Sequence, residues 1–205
     1  MHASQGTDSP CGHPTPLTAR LPDGHLLDLT LYGHSAHRAA VFHHSFGLSG
    51  LKLPDDAALL THLQLQILAP DRPGVEQSSM CRPLIFPSCA DDVVAMLDAL
   101  EIREPVGMMG WSVGGVHALA LAAWHPARVA AGQLLSTYLP LGKWAAHRHL
   151  SPLWKILRWS QVSFPWLNQA AFLWLSRQWT HHPDRTIDWF TRLCCRPKNP
   201  SLPTP

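Results

Sequence analysis

The residues best suited to chemistry in this sequence lie between Val106 and Ala122. An apolar run, Val106-Gly107-Met108-Met109, leads into Gly110-Trp111-Ser112-Val113-Gly114. A small-residue segment, Gly115 to Ala122, leaves it. This is the G-x-S-x-G pattern in its required context, with a strand before and a helix after. Glycines on both sides of Ser112 permit a turn where a side chain would clash. The turn lifts the hydroxyl to the top of a parallel sheet, with a helix N-terminus beneath it. A hydroxyl presented in this way is the mark of a serine nucleophile. Such a serine is weak by itself and needs a base, which is in turn oriented by an acid.

The elements that must carry Ser112 are legible around it. Leu21-Pro22-Asp23-Gly24 is a turn signal, and His25 to Tyr32 alternates as the second, half-buried strand of a hairpin. Ala39 to His43 is a short buried strand that ends in the loop His44-Ser45-Phe46-Gly47-Leu48-Ser49-Gly50. Pro54 to Leu63 is expected as a helix, with Asp55 and Asp56 favourable in its first turn. Leu65 to Ala69 is the next strand, closed by Pro70-Asp71-Arg72-Pro73-Gly74. Ser88 is expected to cap a helix that buries Val93, Val94, Leu97 and Leu100. The helix after Ser112 stops at Pro126, and Val129 to Ser136 is a further strand. Strands alternating with helices over residues 39–136 predict an α/β fold, a mostly parallel sheet with helices on both faces.

Beyond Pro140 the composition changes. Residues 143–192 read as helices interrupted at Pro152, Pro165 and Pro183, and they hold seven of the nine tryptophans. The expected organisation is a leader at 1–16, an α/β core at 17–140, a helical cap at 141–193 and a structureless tail at 194–205. The cap is read as a lid over the top edge of the sheet. The sharper alternative is a Trp- and Arg-bearing surface that lies on a membrane.

Charge is divided unevenly. Residues 1–112 carry 6 Lys+Arg against 12 Asp+Glu, and residues 113–205 carry 10 against 2. The basic half is either a surface for an acidic partner or a helical region with a basic polar face. The five cysteines and fourteen histidines fall in no metal-ligand or disulfide spacing. The sequence calls for no metal and no cofactor, and the phosphate-binding G-x-x-x-x-G-K-[ST] pattern is absent. Nucleic-acid modules are likewise not found. The polar first residues lack a signal-peptide core, and no run of about 18 apolar residues exists. A cytoplasmic setting is the expectation.

Four pieces, in order, resemble the α/β-hydrolase superfamily in its cap-bearing branch. Leu21-Pro22-Asp23-Gly24 with the strand ending at Gly33 is similar to the opening hairpin. Phe42-His43-His44-Ser45-Phe46-Gly47 is similar to the H-G oxyanion loop. Ala69-Pro70-Asp71-Arg72-Pro73-Gly74 is similar to the A-P-D-R-P-G-Y-G-R-S loop. Gly110 to Gly115, followed by His125-Pro126-Ala127-Arg128-Val129, is similar to the elbow and the junction after its helix. The likeness covers residues 18–140 and continues more loosely to about 190. Two departures stand out. Ser45 replaces a glycine, and Val75-Glu76-Gln77 replaces Tyr-Gly-Arg before Ser78, which predicts a changed loop path.

The resemblance implies that Ser112 attacks an ester-like carbonyl of a small acyl substrate. The backbone N–H groups of Val113 and Phe46 would hold the oxyanion. It also implies the chain order Ser, then Asp/Glu, then His. That order is not filled here. No Asp or Glu lies from Val113 to Pro183, and no His follows Asp184 or Asp188. His117 and His125 are expected to point away from the top of the sheet. The sequence is therefore read as half of a site, in a chain cut short or shifted in frame before its acid and base. Two functions stay open: a serine esterase-like enzyme, and a non-catalytic chain of the same ancestry. A sheet lacking its later strands would expose the strand near residues 132–136, and self-association through that edge is expected.

Overall fold

A computed structural model describes residues 14–53, 56–80, 85–137, 155–156, 159–160 and 163–194. It divides into two compact units, Met1–Pro140 and Leu141–Pro205.

Among the described residues, the first unit is built on six strands. β1 (Thr15–Arg20) and β2 (Leu26–Tyr32) form an antiparallel hairpin across the turn at Leu21 to His25. β1 begins at Thr15, two residues inside the stretch expected as leader. β3 (Arg38–His43), β4 (Leu65–Pro70), β5 (Val106–Trp111) and β6 (Val129–Leu135) follow. The spatial order is β1-β2-β4-β3-β5-β6. β2 pairs β4 antiparallel, whereas β4, β3, β5 and β6 are mutually parallel. The chain passes from β3 out to β4, then returns across β3 to β5. Binding crevices form beyond the C-terminal ends of strands where the winding reverses in this way.

The helices cover both faces, as the sequence predicted. α1 (Ala57–Leu63) packs Leu60 against Tyr32, Phe42 and Ala69. α2 (Phe86–Ala99) and α3 (Gly114–Trp124) pack on the opposite face. There Val93, Met96, Leu97 and Leu121 meet Leu27, Leu29, Val41 and Leu68. Neighbours on one strand go to different faces: Val41 belongs to one cluster and Phe42 to the other. Val94 and Leu100, expected in the buried stripe, pack beside the second cluster, half-buried.

Two helix starts differ from the sequence reading. α1 begins at Ala57 with Asp56 as its cap, the carboxylate accepting from the Leu59 N–H at 2.9 Å. Pro54 and Asp55 lie outside the described residues. α2 is capped by Ile85, not Ser88. Pro87 fits the first turn because its missing N–H has no partner to lose there, so the helix starts earlier. Ser88 then lies inside the first turn, and its hydroxyl donates to the Ile85 carbonyl at 2.9 Å.

In the second unit the described helices are α4 (Pro165–His181) and α5 (Pro183–Cys194), each opening on a proline that the sequence marked as a break. α4 buries none of its residues. α5 carries an Arg192–Asp188 ion pair at 2.8 Å on an exposed face. The expected helix before Pro152 lies outside the described residues. Among the described residues, no helix is long and apolar enough to cross a membrane.

Candidate functional site

Ser112 follows directly on β5 and has φ +53°, a left-handed conformation that costs a non-glycine residue about 1–2 kcal/mol. The turn is held on both sides. The Ser112 N–H donates to the Leu135 carbonyl at 2.9 Å, and the Gly115 N–H donates to the Ser112 carbonyl at 3.1 Å. Three glycines make room. A Cβ on Gly110 would lie 2.5 Å from the Gly115 Cα, and one on Gly114 would lie 2.0 Å from the His43 carbonyl oxygen. One on Gly115 would lie 2.2 Å from the Thr137 hydroxyl. The elbow expected from sequence is thus built by packing as well as by turn chemistry. Val113 is the N-cap residue of α3 and already has helical angles.

The parallel register sets His43 opposite Gly110. The loop after β3, residues 44–50, therefore starts beside the elbow. Phe46 is at its exposed part, followed by Gly47 at φ +73°. Ser45, which stands where the resemblance leads one to expect glycine, is not among the residues with positive φ, so its side chain brings no backbone strain. Phe46 and Val113 both line a cavity of about 660 Å³, with His117, Arg72 and Phe86 on its wall. A smaller apolar hollow of about 210 Å³ lies against Trp111 and Leu135, with Phe42, His44 and Leu48.

A buried polar cluster supports the loop from behind. The Asp71 carboxylate accepts from the Gly50 N–H at 2.7 Å, and the Tyr32 hydroxyl donates to the Gly50 carbonyl at 2.7 Å. The Arg72 guanidinium donates to the carbonyls of His44 at 2.5 Å and Ser45 at 3.0 Å. The His44 ring donates from Nδ1 to the Ser45 carbonyl at 3.0 Å and accepts at Nε2 from the Arg72 N–H at 3.4 Å. That pattern requires a neutral imidazole. Burial, with the nearby Arg72 charge, pulls the His44 pKa down to about 4. Burial also pushes the Asp71 carboxyl up to about 6, against the Gly50 hydrogen bond. His44 Nε2 and Asp71 Oδ1 lie 3.4 Å apart, both side chains 1% exposed.

Val75, Glu76 and Gln77 stand in the loop at 71–78. Glu76 has φ +48°, the conformation that glycine would adopt freely. Ser78 then reaches back, its hydroxyl donating to the Asp71 carbonyl at 2.9 Å and accepting from the Asp28 N–H at 2.8 Å. At Val75-Glu76-Gln77, where the sequence leads one to expect a changed path, the turn holds one residue in the left-handed region.

His117 does not point away from this region as its sequence position suggested. It is buried on the wall of the cavity that Phe46 and Val113 line, because five residues carry it just over one turn down α3, facing β3. Its ring lies 6.1 Å from that of His43 and 5.1 Å from that of Phe86. Burial lowers the His117 pKa to about 4 and that of His43 to about 3. His125 does lie elsewhere, 2.7 Å from Asp91. His181 and His182 are exposed at the end of α4, and His147 and His149 lie outside the described residues. No group of three His, Cys, Asp or Glu side chains that could hold a metal occurs among the described residues.

Asp71, Arg72, His44 and His117 were not singled out as site residues by sequence. Asp71 and Arg72 stood inside a recognised loop, but nothing in the order of residues showed that they clamp a loop some 25 positions earlier.

Comparisons with known proteins agree with this architecture. A sequence model of the family described as "alpha/beta hydrolase fold" matches residues 41–170. A pimeloyl-[acyl-carrier protein] methyl ester esterase from Neisseria meningitidis is 40% identical over 63 residues, which are 31% of this chain and 22% of that protein. A hydrolase from Pseudomonas aeruginosa PA01 superposes with TM-score 0.55 at 25% identity, over 64% of this chain and 51% of that one. An esterase from Rhodococcus sp. ECU1013 superposes with TM-score 0.50 at 25% identity, over 60% and 46% of the two chains. The match thus spans about a fifth of the curated relative and about half of each solved structure.

Proposed function

This chain belongs to the α/β-hydrolase fold family, and from that premise we propose that it acts on an ester-like bond of a small acyl substrate, with Ser112 as nucleophile. One observation carries the reading: Ser112 alone of its turn holds a left-handed φ of +53° between glycines that tolerate no side chain. Strain of this kind persists where surrounding structure over-determines it, and it is characteristic of functional positions. In this reading the Ser112 oxygen attacks the carbonyl carbon. The developing oxyanion is held by the N–H groups of Val113 and Phe46. The ester C–O bond then breaks, and the leaving alcohol takes up the proton that the serine hydroxyl lost. Water hydrolyses the acyl-enzyme to free the acid and restore Ser112. The relative's action on a methyl ester supports an acyl substrate, and the mainly apolar wall beside Trp111 and Leu135 suits an acyl chain.

A second reading is a chain that binds without turnover. It is favoured by the state of the histidines nearest the elbow among the described residues. His43, His44 and His117 are buried and neutral, and none is an evident base for Ser112. A fluorophosphonate probe separates the two. Labelling that disappears in Ser112→Ala supports the nucleophile; an unlabelled wild-type chain supports the second reading.

A further inference from the structure

We propose that Arg72 is a positioning residue for the oxyanion donor: its guanidinium, gripping two successive carbonyls behind the loop after β3, turns the Phe46 N–H toward the elbow. The inference rests on the acyl-transfer reading for its catalytic meaning, but its geometry stands apart from it.

The gripped Ser45 carbonyl and the Phe46 N–H belong to one peptide. A trans peptide is planar, and its C=O and N–H point in opposite directions. Whatever holds the Ser45 oxygen therefore sets the direction of the Phe46 N–H. Three donors hold that oxygen: Arg72 Nη2 at 3.0 Å, the His44 ring at 3.0 Å and the Leu48 N–H at 3.3 Å. Arg72 Nη1 takes the preceding carbonyl, that of His44, at 2.5 Å. Two adjacent carbonyls on one rigid fork fix the plane of the peptide and not merely its position. A lysine ammonium, a point charge on a flexible stem, cannot impose that plane.

The fork is itself anchored. The Asp71 N–H donates to the Asp28 carbonyl at 2.8 Å, and the Ser78 hydroxyl donates to the Asp71 carbonyl at 2.9 Å. The backbone that carries Arg72 is thus tied to β2, a strand two places from the loop it controls. The Asp71 carboxylate, through the Gly50 N–H at 2.7 Å, fixes the far end of the same loop. Adjacent residues on one turn therefore clamp the loop at both ends. Charge acts in the same sense, since a cation beside the two carbonyls draws their oxygens toward it.

The test uses the full chain. With 15N-phenylalanine labelling, the Phe46 amide peak is assigned by Phe46→Leu, and the Phe42 amide in β3 reports the fold. In Arg72→Met and Arg72→Lys the Phe46 peak should shift or broaden while the Phe42 peak stays in place. A Phe46 peak unmoved in both variants, with Phe42 in place, overturns the proposal. Should both variants unfold, the wild-type chain decides. Under 15N-arginine labelling the Arg72 Nη protons should appear as separate resonances of hindered rotation, and averaged resonances overturn the proposal. Kinetically, both variants should lower the limiting rate of fluorophosphonate reaction at Ser112 by about 100-fold, with the probe's half-saturating concentration within about twofold. Wild-type labelling that is unchanged in the variants counts against Arg72. A wild-type chain that is not labelled at all defeats the acyl-transfer reading and leaves the two NMR measurements to judge Arg72.

Discussion

Gly114 and the carbonyl oxygen of His43 approach so closely that a Cβ on Gly114 would lie 2.0 Å from that oxygen. The first residue of the helix behind Ser112 thus rests on the last residue of β3, the point where the loop carrying Phe46 begins. The two halves of the proposed oxyanion site are joined by a backbone contact that only hydrogen permits.

Gly114→Ala should therefore do more than remove flexibility. The clash is with backbone, so β3 and α3 must separate, at a cost of about 3 kcal/mol or more. Chemical denaturation should show the loss, and fluorophosphonate labelling of Ser112 should fall in whatever fraction remains folded. Full stability in Gly114→Ala would show that the contact is not as tight as the structure describes.

Ser112 and Glu76 both hold left-handed φ angles, +53° and +48°. Replacing either by glycine removes a strain of about 1 kcal/mol. Ser112→Gly should raise the melting temperature while abolishing labelling, a gain of stability at the expense of function. Glu76→Gly should raise it as well. A lowered melting temperature in both variants would show that neither residue is strained.

Acid should destabilise the first unit steeply. His43, His44 and His117 have folded pKa values of about 3, 4 and 4 against an ordinary 6.5. Their burial as neutral rings contributes stability above about 6.5 that is lost as pH falls through the folded values. Asp71 acts in the opposite sense. Its pKa is raised to about 6 from 3.8, so its contribution is present below 3.8 and lost as pH rises through 6. Near pH 5 the three histidines outweigh the one carboxyl, leaving a net uptake of about two protons on unfolding. Unfolding free energy measured from pH 6.5 down to 4.5 should fall accordingly. The fall should be steeper in Asp71→Asn, which keeps an acceptor for the Gly50 N–H but removes the opposing titration. A flat profile would mean that these histidines are not buried neutral.

Among the described residues β6 is the outermost strand on its side of the sheet, and its residues after Val129 are exposed, including Leu134 at 40% and Leu135 at 43%. An apolar strand at an unpaired edge templates pairing with another chain. Sedimentation velocity should show association that grows with concentration and weakens in Leu134→Lys. A single monomeric species at all concentrations would show that the edge is protected.

Much of this protein was determined by sequence alone, because local chemistry decides local structure. Alternation placed β2, the Pro165 and Pro183 breaks placed the starts of α4 and α5, and glycines around Ser112 placed the elbow. The parallel sheet with helices on both faces followed from the order of those elements. Local signals were insufficient where a neighbour in space competed with them. Ser88 had a good cap side chain, yet Pro87 allowed α2 to begin at Phe86. His117 was assigned to the wrong surroundings because its direction depends on how α3 packs against β3. The grip of Arg72 on His44 and Ser45, and of Asp71 on Gly50, belongs wholly to the tertiary structure. Those residues are some 20 to 30 positions apart, and only the parallel pairing of β3 with β4 brings their loops to the same end of the sheet. Burial there, away from water, is also what makes the histidines neutral and Asp71 a weak acid, and no reading of residue order contains it.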